Sequence, residues 1–442
     1  MAEISSQRSQ QFARMRDLAR EIFASALKNA SIESAFARNV HCDRRVLRIG
    51  DDLHDLDSYH RVFVVSLGKA AHTMVSALEA QVGASLEGIV ASSVDPPNQV
   101  RGFRYFHGGH PTPTGESIRA AEAILKSLRA LDSSSLAVFM ISGGGSSIVE
   151  KPADDEISLP DLIATYRALV HSGAPIAQIN AIRKHLSAVK GGRLAQAAYP
   201  AQQVSILVSD VPDATPDALA SGPTMPDSTS VNDCERIADQ YNLTELFPKS
   251  VADLFQKHSL DETPKSDDPA FVRARWWTIL SNKVAIAEAV AAATSAGFAV
   301  EVDNSCDDWP YDEAATYLLN RLRQLRSEVS RVCLISGGEV TVAVRNGGIG
   351  GRNQQFALAC AEQIASADIT LLSAGTDGID GNSPAAGAVV DGSTINRAGD
   401  AEAVRQSLST FDAYPLFNSL GDAIIIGPTG NNLRDLRILL AY

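Results

Sequence analysis

Short β-branched and aliphatic runs recur along this chain, and most of them hand over to a glycine-rich turn. Residues 61–67 read as a buried strand; Gly68 turns the chain, and small and apolar residues at helical spacing follow from Lys69 to Gln81. Residues 136–141 form a second run, ending in the turn Ser142 to Ser147, and 204–208 a third, ending in Ser209 and Asp210. A fourth, 331–335, ends in Ser336, Gly337, Gly338 and Glu339; a fifth, near Ile369 to Ala374, ends in Gly375, Thr376, Asp377 and Gly378. Strand-length runs alternating with helical patterns dictate an α/β architecture. Open α/β sheets place their ligands at the carboxyl ends of the strands, where these turns lie.

A chain of 442 residues exceeds what one hydrophobic core usually serves. Residues 232–268 are charged, weakly patterned and punctuated by Pro248 and Pro264, which puts a boundary within about 230–330. The expected division is a first domain over 1–240, a connecting region over 241–329 and a second domain over 330–442. With 45% hydrophobic and 21% charged residues, the chain is neither disordered nor fibrous. No apolar run approaches the ~20 residues that span a bilayer, and residues 1–20 are too polar for a signal peptide. The five cysteines, odd in number and without metal-ligand spacing, read as reduced thiols of a cytoplasmic protein. A formal net charge of −13 argues against a nucleic-acid or anionic-membrane partner.

Charge is not spread evenly. Residues 162–209 contain no Asp or Glu, yet include Arg167, Arg183, Lys184, Lys190 and Arg193. That stretch is either an ordinary helix surface or the wall of a pocket for a small anion. The turn holding Ser142, Gly143, Gly144 and Ser146 could expose backbone N–H groups to phosphate, or could be a plain strand-to-helix turn. It is neither a Walker A loop nor a dinucleotide fingerprint. The echo of residues 141–144 in 335–338 suggests a second backbone cradle. Gly347 to Gly351 contains four glycines and precedes a helical run over 355–365, which would set Arg352 and a helix N-terminus on one anion. A flexible hairpin with a surface arginine is the alternative. Asp210, Glu339 and Asp377 each follow a strand end, where a carboxylate binds Mg²⁺, orients a hydroxyl, or simply forms a turn. The histidines lack zinc-type spacing, and no G-x-S-x-G elbow is present.

Taken in order, these segments resemble the class II glycerate 2-kinase family with a C-terminal MOFRL domain. The resemblance rests on residues 68–70, 109–111, 142–146, 180–187, 190–195, 209–212, 220–224, 336–339, 351–354, 375–378 and 427–430. It covers nearly the whole chain. It implies two α/β domains, the first Rossmann-like, with the active site in the interdomain cleft. It also implies ATP- and Mg²⁺-dependent phosphorylation of the 2-hydroxyl of D-glycerate, with Lys69, Asp210, Glu339, Arg352, Asp377 and Asn432 at the family's site positions. In the roles we expect, Lys69 neutralises phosphate oxygens, Arg352 clamps the γ-phosphoryl, and Asp210 orients or deprotonates the attacking hydroxyl. Glu339, Asp377 and Asp210 are the candidate Mg²⁺ ligands; Arg183 and Lys190 belong to the field that draws in the anions. Partners are small molecules, with a homodimer left open. Alternatives are a kinase for a four-carbon or dicarboxylic hydroxy acid and a hydroxypyruvate reductase.

Departures from the family pattern fall at Asp213 to Thr215, Ser147, Gln355, and in residues 431–435, where Thr-Asn-Val-Asn-Asp is usual and Asn431, Asn432, Leu433, Arg434 and Asp435 stand instead. Arg434 could face solvent, pair with Asp435 or Asp422, or read an extra anionic group on a longer acid; we place it with the substrate-binding residues.

Overall fold

A computed structural model describes residues 2–83, 86–96, 98–344 and 347–442. The chain forms two compact units, one of Ile32–Ile279 and one of Met1–Ser31 with Leu280–Tyr442. The first is built on β1 (Arg61–Leu67), β2 (Glu87–Ser92), β3 (Phe103–His107), β4 (Ser135–Ser142), β5 (Gln202–Val208) and β6 (Ala274–Leu280). Their order across the sheet is β3-β2-β1-β4-β5-β6, and β1 to β5 run parallel. This is a doubly wound order, in keeping with the Rossmann-like first domain that the family resemblance implies. All eight residues of β4 are buried, as a central strand covered by helices on both faces requires. Because β1 is followed in space by β2 on one side and β4 on the other, the chain crosses in opposite directions from this pair, and a crevice opens at their carboxyl ends. The turns at Gly68 and at Ser142 to Ser147 therefore meet there.

The helix Leu159–His171 shows how sequence spacing serves both core and crevice. Ser158 caps it by accepting from the Asp161 N–H at 3.2 Å, and Pro160 stands in its first turn. Leu162 and Leu169 pack into a core with Ile179 and Ile182. Ile163, Tyr166, Arg167 and Val170, spaced i, i+3, i+4, i+7, form a second face that lines a cavity.

The second unit carries β7 (Ala299–Val302), β8 (Val332–Gly338), β9 (Ile369–Gly375), β10 (Gly387–Asp391), β11 (Ala423–Ile424) and β12 (Asp435–Ala441), in the order β7-β8-β12-β9-β10-β11. The last strand lies in the middle. β12 runs antiparallel to both β8 and β9, so its first residue, Asp435, is paired with Gly338 at the end of β8 and Gly375 at the end of β9. Leu436, Ile438 and Leu440 point to one side, against Ile22 and Phe23 of the N-terminal helix Ala2–Asn29. Leu439 and Ala441 point to the other, with Phe356 and Leu318.

The division differs from the expected one at both ends. Met15, Ala19, Ile22, Phe23 and Ala26 form an apolar stripe that joins the N-terminal helix to the β12 sheet, not to the strands that follow it in sequence. The segment 241–329 is no connector either: the helix Lys249–Gln256 and β6 finish the first unit, and the helices Asn282–Ser295 and Tyr311–Glu328 cover the second sheet.

Candidate active site

In the first unit the expected residues gather at the crevice. The Lys69 N–H donates to the Gly143 carbonyl at 2.9 Å and the Ala70 N–H to Ser142 Oγ at 3.1 Å, locking the two turns together. Gly68 has φ +115°, and a Cβ there would lie 2.4 Å from the Ser142 carbonyl oxygen. Gly143 lies under the Asp210 carboxylate, since a Cβ on it would come within 1.9 Å of Asp210 Oδ2. A Cβ on Gly144 would meet His110 Cδ2 at 3.0 Å and Lys69 Cγ at 3.1 Å. Among the described residues, no backbone carbonyl accepts from the Gly143 or Gly144 amide. An exposed lysine, two amides and a carboxylate thus stand around one turn. Partial burial, then the neighbouring Lys69 charge, lowers the His110 pKa and keeps the imidazole neutral near pH 7.

The acid-free stretch resolves into two kinds of cation. Lys190 is 1% exposed and pairs with the fully buried Glu150, so it is a structural ion and not the ligand-binding group expected from sequence. Lys184 pairs with Asp217 at 2.9 Å and Asp227 at 3.2 Å, and Arg193 donates to the Asp261 carbonyl at 3.2 Å. Their partners come from outside residues 162–209, so a local count of acids could not show them. Arg183 and Arg167 do line a cavity of about 390 Å³, together with Tyr166, His110, Gly144 and Ser146.

In the second unit the antiparallel β12 brings the strand-end groups together. Asp435, fully buried, accepts from Arg352 Nε at 2.6 Å and Nη2 at 3.0 Å, and Glu339 Oε1 lies 2.8 Å from the same Nη2. Burial acts to lower the Arg352 pKa, but the bonds and charge of Asp435, then Glu339 and Asp380, raise it above the ordinary arginine value. Arg352, Asp377 and Asp380 line a cavity of about 590 Å³. Asp377 Oδ1 accepts from the Ile379 N–H at 3.1 Å.

Two expectations fail in this unit. The N-terminus of the helix Arg352–Gln363 is largely taken by a side chain, because Asp380 accepts from the Asn353 and Gln354 N–H groups at 3.1 and 2.9 Å. Burial raises the Asp380 pKa to about 6 despite these bonds. The second backbone cradle is filled in the same way: Asn304, Asn282 and Asp307 side chains accept from the amides of Gly337, Gly338 and Glu339. Asn432 Oδ1 accepts from the Arg434 N–H at 2.9 Å, which supports the φ of +67° at Arg434. Arg434 itself is 7% exposed and gives its fork to Asp307 at 2.7 and 2.6 Å. It therefore neither faces solvent nor pairs with Asp435 or Asp422; the forked end of its guanidinium is held by Asp307. Asp307 and Glu150 gave no signal in the sequence, and Asp435 was weighed there only as a partner of Arg434, not of Arg352.

No group of three or more His, Cys, Asp or Glu side chains poised for a metal occurs among the described residues. Magnesium in phosphoryl-transfer sites takes one or two carboxylates and completes its shell with phosphate oxygens and water, so single strand-end carboxylates suit it. Asp210, Asp377 and Glu339 all stand at such positions, and Glu339 also meets Arg352.

Comparison with known proteins adds a separate line. Residues 18–256 match a domain of unknown function (DUF4147), and residues 332–435 match the MOFRL family. The D-glycerate 2-kinase of Thermotoga maritima is 34% identical over 387 residues, covering 86% of this chain and 90% of the relative. A putative hydroxypyruvate reductase of Agrobacterium vitis is 35% identical over 389 residues, covering 86% and 87%. The crystal structure of a glycerate kinase from Thermotoga maritima superposes with a TM-score of 0.85 at 31% identity, covering 97% of this chain and 100% of the other.

The Arg434–Asp307 pair yields a stability prediction. Arg434→Asn strands a half-buried carboxylate and is expected to cost about 2 kcal/mol in urea unfolding. An unchanged unfolding midpoint and slope would show that the pair contributes nothing.

Proposed function

The chain belongs to the glycerate 2-kinase family with a C-terminal MOFRL domain, and we propose how its residues move a phosphoryl group from ATP to the 2-hydroxyl of D-glycerate. The convergence of Lys69, the Gly143 and Gly144 amides and Asp210 at the strand-order reversal carries this reading. Lys69 and the amides neutralise phosphoryl oxygens as negative charge spreads over them, a contribution that is largest where donors are fixed in advance. Asp210 accepts the proton of the attacking hydroxyl or holds that hydroxyl in line. Arg352, anchored through Nε and Nη2 by Asp435, has its Nη1 end left to meet the phosphoryl group. The γ-phosphorus–oxygen bond to ADP breaks as the bond to the 2-oxygen of glycerate forms.

Asp210 in the first unit and Asp377 in the second are each carboxylates of the kind that suits Mg²⁺ entering with the nucleotide, which would supply charge neutralisation on the nucleotide phosphates. We place the protein in the cytoplasm: its cysteines are free thiols, and among the described residues no helix is long and apolar enough to cross a membrane. A second reading, hydroxypyruvate reduction, is favoured by the name of the Agrobacterium relative. It is opposed by the absence of a dinucleotide fingerprint at the glycine turns.

Incubation with ATP, Mg²⁺ and D-glycerate is expected to release ADP and give 2-phosphoglycerate, identified by phosphorus NMR. Hydroxypyruvate with NADH is expected to give no oxidation. Lys69→Ala and Arg352→Ala should each lower kcat by at least ~100-fold, and excess EDTA should abolish turnover. NADH oxidation without ADP release would overturn the kinase reading, and near-wild-type kcat in either variant would overturn the roles of Lys69 and Arg352.

A further inference from the structure

The cavity of about 390 Å³ in the first unit has a cationic wall and no acid. Arg183 and Arg167 face it, and none of its lining residues is Asp or Glu. Arg183 differs from its basic neighbours Lys184, Lys190 and Arg193. Lys184 and Lys190 are paired with carboxylates, and Arg193 donates to carbonyl oxygens, whereas no carboxylate among the described residues pairs with Arg183. Its Nε is buried and has no hydrogen-bond partner. Burial, the largest influence on this group, disfavours its charge, and the more distant Glu150 offsets that only in part, so an arriving anion would relieve a standing cost.

The guanidinium is nevertheless held in place. Its centre lies 4.8 Å from the Tyr166 ring centroid, stacked as a cation on an aromatic face. The Tyr166 hydroxyl donates to Glu150 Oε2 at 2.6 Å, and the fully buried Glu150 is fixed in turn by Ser187 Oγ at 2.6 Å and by Lys190. A buried, fully bonded network of this kind holds a single geometry. Gly144 and Ser146 belong to the same cavity wall, and Gly144 abuts Lys69.

Resting on the kinase reading above, we infer that Arg183 binds the carboxylate of the hydroxy-acid substrate, and that Tyr166, fixed through Glu150, is its positioning residue. In a 2-hydroxy acid the reacting hydroxyl is one carbon from the carboxylate, so the anchor has to sit beside the phosphoryl-transfer groups, as this cavity does. A guanidinium stacked on a ring presents a planar fork, which matches a planar carboxylate. The donors for the phosphates are supplied separately, by Lys69 and the glycine amides.

Steady-state kinetics with both substrates varied, and calorimetric binding of D-glycerate without nucleotide, test this. Arg183→Gln is expected to raise the KM and Kd for D-glycerate roughly 30-fold or more and to leave the KM for ATP within about twofold. The same variant should shrink the preference for glycerate over the uncharged glyceramide by about tenfold or more, a readout that a packing defect does not move. Tyr166→Leu should raise the glycerate KM by roughly fivefold to tenfold, and Tyr166→Phe, which keeps the ring, by less than about threefold. If Arg183→Gln fails to fold, Arg183→Lys keeps the charge without the fork and is expected to raise the glycerate KM about tenfold. An unchanged glycerate Kd in the Arg183 variant, or an equal rise in the KM for ATP, overturns the assignment. Absence of ADP release from the wild-type protein overturns the kinase reading instead, and glycerate binding by calorimetry then still decides the carboxylate site.

Discussion

Two glycines after β4 set the closest approach in the first unit, and the groups at the crevice are arranged around it. Gly143 has no side chain, and the space a Cβ would take is filled by the Asp210 carboxylate; Gly144 leaves the corresponding space to Lys69 and His110. The reversal of strand order fixes where this happens, because only between β1 and β4 do crossovers depart to opposite sides. Strand chemistry dictates the sheet, the sheet dictates the crevice, and the glycines let opposite charges stand across a backbone. Function is thereby tied to β-branched runs that carry no reactive group themselves.

A second regularity is the use of distant carboxylates to hold cations. Glu150 takes Lys190, Asp435 takes Arg352, and Asp307 takes Arg434. Buried pairs of this kind add little net stability relative to apolar packing, yet removing one partner is costly because the other is left charged and unpaired. Their effect in this protein is geometric. Arg352 is held by its Nε edge and Tyr166 by its hydroxyl, so the groups that face the cavities are fixed before a ligand arrives.

Strand runs and glycine turns were legible because they are local: β1 and β9 begin where the β-branched runs begin, and the α/β class follows from their alternation with helices. Pairing partners were not. Lys190 and Glu150 are forty residues apart, and nothing near Lys190 in sequence announces a buried acid. The cradle read into Ser336 to Glu339 failed for a related reason, since the acceptors that fill it, Asn282, Asn304 and Asp307, lie on other segments. Arg434 looked like a reader of substrate because it departs from the family pattern, and Asp307, more than a hundred residues away in sequence, holds both ends of its fork. The antiparallel return of β12 was hidden as well, because its seven buried residues include two charged ones, Asp435 and Arg437.

Catalysis on this reading depends on Asp210 acting from its place over Gly143. Gly143→Ala tests that dependence with little disturbance elsewhere, since the new Cβ would collide with the far end of one side chain, and φ at this position is not in the left-handed region. Measured with saturating ATP-Mg²⁺ and D-glycerate, kcat is expected to fall by at least ~100-fold while the melting temperature changes by only a few degrees. A variant that keeps wild-type kcat would contradict the role of Asp210, because the carboxylate would then have moved without consequence.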